Sequence, residues 1–132
     1  QTTIKYCIGR IFSTSNINQK KNYLVPDLIF KIKKTKQIIT LSNLNHYRDF
    51  ISMKDISKII FKLFKNRFNG IINIGRGKGI LLKDIAIFLC KKFKKKYKFF
   101  DNKKVTYLIA NNDKLKKYIR MSKTTNLEKI IF

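Results

Sequence analysis

An amphipathic helix followed by a strand, a glycine-containing loop and a second helix is the feature that most constrains the fold of this chain. Apolar residues fall at helical spacing on one face of the first helix, namely Ile56, Ile59, Ile60, Leu63 and Phe64. Ser52 and Asp55 have the spacing of a capping box at its start. Asn69-Gly70 predicts a turn into a strand at residues 71–74, before a second helix at residues 82–93. This order of elements predicts an α/β fold.

Shorter elements are predicted around this unit. Strands are predicted at residues 4–12 (mostly buried), at 38–41 and within 98–107; a loop at 13–22; a turn at 42–46; and short helices at 113–119 and after Thr125. Pro26 fits the first turn of a further helix, whose apolar residues are Leu24, Leu28, Ile29 and Ile32. Thr125 and Glu128 have capping-box spacing before the last helix.

Length and composition predict one domain, or part of one, without membrane or metal partners. The chain has 132 residues, 44% of them hydrophobic, so it can bury a core of its own. No apolar run approaches the roughly 18 residues of a membrane-spanning helix. Cys7 and Cys90 are too few for a disulfide framework or a four-ligand zinc site, so a reducing, cytoplasmic location is expected. The start at Gln1, without a signal-peptide pattern, predicts a fragment or a processed chain.

The charge balance is strongly positive, with 31 Lys+Arg against 7 Asp+Glu and a formal net charge of +24. Nearly all of this charge is lysine, and the scarcity of arginine argues against a protein that reads base edges, which makes nucleic acid a less favoured partner. The densest run, at residues 91–98, lies at the predicted end of a helix, where cations complement the helix dipole. A solvated face and a patch for nucleic acid or acidic lipid both stay open as interpretations.

Catalytic and cofactor motifs are sparse. The only histidine, His46, is interpreted as a turn residue, and Cys7 and Cys90 as packing residues in apolar elements. The loop at residues 75–79 approaches the dinucleotide-binding pattern G-x-G-x-x-G, but Ile80 stands at the sixth position. Asp101 could imitate the acidic ligand of the ribose in that pattern. A tight turn with positive φ is the alternative interpretation of these glycines.

Six segments, in order along the chain, resemble the NAD-dependent epimerases/dehydratases, the extended short-chain dehydrogenases that act on nucleotide sugars. Residues 47–56 (YRDFISMKDI) are similar to the family's RDF stretch, and residues 72–77 (INIGRG) to its YNIGxG strand and turn. The other four similarities are GRIFS at 9–13, LVPDLI at 24–29, ANNDKL at 110–115 and TNLE at 125–128. The resemblance covers essentially the whole chain. It implies the C-terminal part of a Rossmann-type fold with a small helical substrate-binding lobe.

The expected role of the chain follows from two motifs of the family that this sequence lacks. The family's N-terminal half carries a G-x-x-G-x-x-G cofactor loop and a catalytic Tyr-x-x-x-Lys pair, and neither occurs here. The resemblance therefore implies that residues 1–132 are the substrate-binding region, with no catalytic residue and no cofactor bound by this chain alone. NAD or NADP is expected for the full-length family enzyme. An upstream or separate cofactor-binding half is the expected partner, because the strands predicted here would otherwise have open edges.

The resemblance also implies five residues that bind the nucleotide-diphosphate sugar. Arg48 matches the arginine that contacts the diphosphate, a charge-assisted hydrogen bond, and Asn73 offers an amide donor. Ser13 stands where the family has an asparagine, and Val25 and Ile39 lie where members line the base or ribose pocket. Asp49 and Asp55 are expected to order the start of the helix. The alternative for Arg48 is a surface ion pair with one of these aspartates.

Three functions follow as hypotheses. The first is the nucleotide-sugar binding portion of an epimerase, dehydratase or 4-keto-reductase, inactive alone. The second is a non-catalytic nucleotide-sugar binding partner subunit. The third is a basic nucleic-acid-binding protein, whose binding would depend steeply on salt.

Overall fold

Parallel pairing of strands that lie far apart in the sequence organises the fold. A computed structural model describes residues 4–16, 18–100, 104–121 and 126–132. The helices are α1 (Leu24–Lys34), α2 (Met53–Lys65), α3 (Leu82–Lys92), α4 (Asp113–Lys116) and α5 (Leu127–Ile131). The strands are β1 (Cys7–Ile11), β2 (Ser13–Ser15), β3 (Ile38–Ser42), β4 (His46–Arg48), β5 (Phe50–Ser52), β6 (Gly70–Ile74), β7 (Ile80–Leu81), β8 (Lys96–Phe100) and β9 (Thr106–Leu108). The predicted α/β class is confirmed.

A change of strand partner at Phe12 positions the start of β2. β1 runs parallel to β6, from Cys7 opposite Gly70 to Ile11 opposite Ile74. The next N–H, of Phe12, still donates to the carbonyl of Ile74 at 3.1 Å, whereas the N–H of Ser13 donates to the carbonyl of Asp49 at 3.0 Å. β2 then pairs in parallel with β5. Ser13 is thereby fixed beside the segment that carries Arg48.

The central strand of a three-stranded sheet carries Arg48. β4 pairs antiparallel with β7 and parallel with β9. Arg48 lies opposite Ile80 on one side and Leu108 on the other. The end of the glycine loop and the segment before α4 therefore meet at the same strand. A further parallel pair, β3 with β8, completes the strand pairing, so the predicted helical lobe also contains short strands.

Two hydrophobic cores divide the structure. The first core contains buried residues of α1, β3, α3 and α5, including Val25, Ile32, Ile39, Leu89 and Ile131. The second core lies between α2, β6 and α4 and is made of Ile51, Ile56, Ile59, Leu63, Phe68, Ile72, Ile74 and Leu115. Within the described ranges, no helix combines the length and the apolar character needed to span a bilayer.

The clearest sequence prediction, the helix α2 with its N-terminal cap, is confirmed, except that part of its apolar stripe is exposed. The Ser52 hydroxyl accepts a hydrogen bond from the backbone N–H of Asp55 at 3.1 Å and donates to the Asp55 carboxylate at 2.8 Å. Asp55 therefore orders the helix start, as predicted. The apolar stripe is buried at three of its five positions, whereas Ile60 and Phe64 are 51% and 80% exposed.

The prediction of a mostly buried strand at residues 4–12 was wrong about burial. β1 is shorter than predicted, and all five of its residues are exposed, including Cys7, which was expected to pack. The reason is that no element of the described residues buries β1: its one strand partner is β6, and neither hydrophobic core includes a residue of β1. Its apolar side chains therefore lack a covering layer, as the expected open edges imply.

Three local predictions also need correction. Residues 13–15 of the predicted loop form β2, because their backbone pairs with β5. His46 is the first residue of β4 rather than a turn residue, and its Nδ1 lies 3.0 Å from the Thr106 hydroxyl oxygen. The N-cap of α5 is Asn126, whose side chain accepts from the N–H of Lys129 at 3.1 Å. Thr125, the predicted cap, and Asp101 lie outside the described residues.

Candidate functional site

A cleft of about 320 Å³ brings together three of the five predicted ligand-binding residues. It is lined by Phe12, Ser13, Thr14, Gln19, Tyr23, Leu24, Val25, Arg48, Phe50 and Leu82. Ser13, Val25 and Arg48 come from β2, α1 and β4, three elements that the strand switch at Phe12 and the first core hold side by side. The cleft therefore combines one cation, hydroxyl groups and an apolar wall.

The guanidinium of Arg48 is anchored through one of its nitrogens. Nη1 donates to the carbonyl of Tyr47 at 2.8 Å, to the Thr106 hydroxyl at 3.0 Å and to the Thr106 carbonyl at 3.4 Å. Among the described residues, no carboxylate pairs with Arg48, and its Nη2 and Nε have no hydrogen-bond partner. The alternative of an ion pair with Asp49 or Asp55 is therefore wrong for this structure. A guanidinium fixed at one corner presents its remaining donors in a defined plane, which suits a phosphate or carboxylate.

Ser13 contributes a hydroxyl group to the cleft, and Val25 contributes an apolar side chain. Ser13 is half-buried, and its backbone is held by the hydrogen bond to Asp49, so its short hydroxyl is placed by the sheet rather than by a loop. Val25 is 2% exposed and belongs to the first core. The Thr14 hydroxyl, which also borders the cleft, donates to the Met53 sulfur at 3.3 Å.

Asn73 and Ile39 lie outside this cleft. Asn73 is on β6 opposite Arg10, and its amide donates to the carbonyl of Asn111 at 3.0 Å. Ile39 is 5% exposed and points into the first core, because the exposed and buried residues alternate along β3. The ligand contacts implied for these two residues stay predictions.

A buried aspartate next to Arg48 holds the glycine loop, a role that sequence reasoning missed. Asp49 is fully buried, and its carboxylate accepts three backbone hydrogen bonds. The donors are the N–H groups of Arg76 at 2.9 Å, Gly77 at 2.8 Å and Ala110 at 3.2 Å. The prediction that Asp49 orders the helix start was therefore wrong. Two features of the sequence could have indicated this role. One is an aspartate beside a candidate ligand residue, and the other is a G-x-G loop whose backbone N–H groups can donate to a carboxylate.

The glycines of this loop serve the tight packing around Asp49. Gly77 has a φ of +69°, which confirms the tight-turn interpretation at this position. A Cβ at Gly75 would lie 2.5 Å from the Cβ of Ala110 and 2.7 Å from the Asp49 carboxylate. A phosphate-binding loop needs free backbone N–H groups directed at the anion. Here two of those groups already donate to an internal carboxylate, which weighs against the cofactor-loop interpretation.

The remaining titratable groups offer little chemistry of their own. Burial raises the pKa of the Cys90 thiol, which disfavours the reactive thiolate. Within the described ranges, no cluster of three His, Cys, Asp or Glu side chains has a geometry that could hold a metal ion. His46 contacts the same Thr106 hydroxyl that accepts from Arg48, so these three residues form one polar chain beside the cleft.

Comparison with solved structures shows that the chain shares its fold with parts of larger proteins. The chain superposes with a TM-score of 0.74 on RMD from Pseudomonas aeruginosa complexed with NADPH, at 12% identity, covering 95% of this chain and 46% of that one. It superposes equally well, with a TM-score of 0.74 and 20% identity, on the UDP-N-acetylglucosamine 4-epimerase of Methanobrevibacter ruminantium M1 in complex with UDP-N-acetylmuramic acid. That match covers 96% of this chain and 44% of the epimerase. The expected Rossmann-type architecture is thereby confirmed.

Comparison of sequences gives the family. The chain is 35% identical over 85 residues to the GDP-6-deoxy-D-talose 4-dehydrogenase of Aggregatibacter actinomycetemcomitans, covering 64% of this chain and 29% of that protein. The chain thus spans less than a third of this relative and less than half of the solved structures. The model of the NAD dependent epimerase/dehydratase family matches residues 1–75, more than half of the chain. This chain belongs to the NAD dependent epimerase/dehydratase family.

Proposed function

We propose that residues 1–132 form the substrate-binding region of an enzyme that changes the sugar of a nucleotide-diphosphate sugar. The observation that carries this proposal is Arg48, which lines one cleft with Ser13 and Val25 and has no carboxylate partner among the described residues. The diphosphate would take the free donors of Arg48. The apolar side of the cleft, with Val25, would face the base or ribose.

The size of the cleft supports a substrate site that this chain shares with the half that would hold NAD or NADP. Pockets for small ligands commonly enclose about 300–1,000 Å³. The 320 Å³ cleft lies at the lower end of that range and is enough for the diphosphate and part of a nucleotide, but small for the whole substrate. The remaining wall would come from the half that holds NAD or NADP. Alone, this chain would bind substrate without transferring hydride.

An open sheet edge and an apolar face support a cofactor-binding half as the partner. β1 and β6 form a two-stranded sheet, and strands with free N–H and C=O groups are templates for further strands. Ile11 on β1, which borders the apolar face, is 47% exposed. A groove of about 760 Å³ continues from this sheet to Phe64 of α2. Apolar areas of this kind mark interaction surfaces, and a sheet edge beside one fits another strand with its covering helix.

Isothermal titration of the 132-residue chain with UDP-glucose and GDP-mannose tests the proposal. We expect binding of at least one of them, weakened about 10- to 150-fold by Arg48→Ala, because a hydrogen bond to a charged group contributes about 1.5–3 kcal/mol. Arg120→Ala is the matched control, since Arg120 is exposed and lies outside the cleft. Equal losses in both variants, or no binding by the unmodified chain, would overturn the proposal. Titration with NAD and NADP should show no binding.

A further inference from the structure

Two lysine-rich segments are free of acidic residues. Residues 31–36 contain four lysines and residues 91–98 contain six. Neither residues 28–48 nor residues 85–100 contain an aspartate or a glutamate. The positive charge of this part of the sequence is therefore not balanced locally.

The fold brings these two segments together. α1 packs against α3, and β3 pairs with β8, so that Ile38 lies opposite Lys96 and Thr40 opposite Lys98. The Lys95 ammonium donates to the carbonyl of Thr35 at 2.7 Å, directly joining the end of α1 to the start of β8. Lys36, Lys96 and Lys98 lie on or next to this strand pair, and we call these three lysines together with Phe100 the lysine surface.

The side chains of β8 alternate between the first core and the solvent. Tyr97 and Phe99 are partly buried against the first core, whereas Lys96, Lys98 and Phe100 are exposed. Alternate residues on a strand are about 6.6 Å apart, so the two ammonium groups and the ring form a row. Phe100 is 63% exposed, which leaves much of its ring open at the end of the row.

Few carboxylates neutralise the two lysine-rich segments. The ion pairs among the described residues that involve their lysines are Lys31 with Asp27 at 2.6 Å and Lys92 with Glu128 at 2.6 Å. Lys36, Lys96 and Lys98 are exposed and have no carboxylate partner in the described part of the chain. A row of unneutralised ammonium groups attracts a polyanion and releases its counterions.

We propose that the lysine surface binds single-stranded nucleic acid, with lysines on the phosphates and the Phe100 ring under a base. Stacking on an aromatic ring beside a cationic track is how proteins bind single strands without reading sequence. The scarcity of arginine argues only against reading base edges, which this mode does not need. A lipid surface fits less well, because Thr40 and Ser42 separate the apolar residues of the outer face, and membrane insertion needs a continuous apolar face. The surface lies apart from the Arg48 cleft and is independent of the proposed function.

Fluorescence anisotropy with an oligo-dT of about 30 nucleotides, titrated across salt concentrations, tests this proposal. The triple variant Lys36→Gln, Lys96→Gln, Lys98→Gln should make the slope of log K against log salt less negative by about 2, because each phosphate contact contributes roughly −0.7. At about 0.1 M salt that loss corresponds to roughly 100-fold weaker binding. Phe100→Ala should weaken binding about 5- to 150-fold and leave the slope unchanged, since stacking carries no charge.

A charge-matched control separates this surface from the general charge of the chain. The triple variant Lys54→Gln, Lys58→Gln, Lys62→Gln removes three exposed lysines from α2, which packs on the second core. It should keep the salt slope within about half a unit of the unmodified chain. Equal losses in the two triple variants would overturn the proposal, as would binding to phosphatidylserine vesicles without binding to the oligonucleotide. Circular dichroism verifies that each variant is folded.

Discussion

The carboxylate of Asp49 accepts a hydrogen bond from the backbone N–H of Gly77 at 2.8 Å, across 28 positions of sequence. Arg48 and Asp49 are neighbours in the sequence with different roles. The guanidinium of Arg48 lines the cleft, whereas the carboxylate of Asp49 points inward and holds the glycine loop. Because the backbone N–H of Asp49 also donates to the carbonyl of Leu108 at 3.0 Å, the same residue fixes the strand that carries Thr106. The Asp49 residue that holds the glycine loop thus also stabilises the strand that carries Thr106, to which the guanidinium of Arg48 donates.

Asp49→Asn should destabilise the chain by about 2–4 kcal/mol. The amide keeps one acceptor oxygen, but its NH2 group then faces backbone donors in a buried site, which leaves N–H groups without partners. Urea unfolding followed by circular dichroism measures the loss. Asp84→Asn, an exposed change in the first turn of α3, removes the same charge and should cost less than about 1 kcal/mol. Similar midpoints for the two variants would contradict the role assigned to Asp49.

Gly75→Ala should destabilise the chain by about 1–3 kcal/mol, because the new methyl group overlaps the Cβ of Ala110 and the anchored Asp49 carboxylate. Gly9→Ala is the matched control. Its Cβ would come within 2.6 Å of the Cδ1 of Ile74, the terminal methyl of one side chain, so that only this methyl group has to shift. Neither glycine has a positive φ, so backbone strain does not separate them. Thermal unfolding should show a clearly larger loss for Gly75→Ala, and the reverse order would refute the packing argument.

Ser52→Ala should cost about 0.5–2 kcal/mol, because it removes the side-chain acceptor at the N-terminus of α2. Ser57 lies one turn further along the same helix, where its hydroxyl donates to the carbonyl of Met53 at 3.0 Å. Ser57→Ala should be neutral or slightly stabilising, since alanine is the better residue in a helix interior. Denaturant midpoints of the two variants provide the comparison, and equal effects would argue against the cap.

Features that depend on a few neighbouring residues could be predicted from the sequence. The helix α2 and its cap follow from apolar spacing and from two residues three positions apart, and the strand β3 from a short apolar run. The role of Asp49 could not be predicted this way, because its backbone donors lie 27, 28 and 61 positions away. Side-chain hydrogen bonds of that range are visible only once the strands are paired.

Burial was predicted less well than element type, for a physical reason that β1 illustrates. An apolar strand is buried only where neighbours cover it, and periodicity does not report neighbours. The candidate cleft shows the same limit. The resemblance to the family indicated Ser13, Val25 and Arg48, which the fold brings together, and Ile39, which the alternation of β3 directs into the core.

The two thiols should differ sharply in reactivity. Cys7 is exposed on β1, whereas Cys90 is fully buried in α3, where burial raises its pKa. Titration with a thiol-reactive dye under native conditions should label one thiol per chain quickly, and the second only after denaturant is added. Cys7→Ser should abolish the fast phase. Fast labelling of both thiols in the folded chain would contradict the packing of α3 against α1.

The raised pKa of Cys90 also predicts how stability depends on pH. Above the ordinary thiol pKa of about 8.5, the unfolded chain releases this proton while the folded chain retains it. The unfolded state then binds fewer protons, so the free energy of unfolding should fall as the pH rises through and above that value. Cys90→Ala removes this contribution, and its stability should fall less steeply over the same interval, although it starts lower because of the cavity. Parallel slopes for the two proteins, measured by urea unfolding at a series of alkaline pH values, would show that the Cys90 thiol ionises equally in both states.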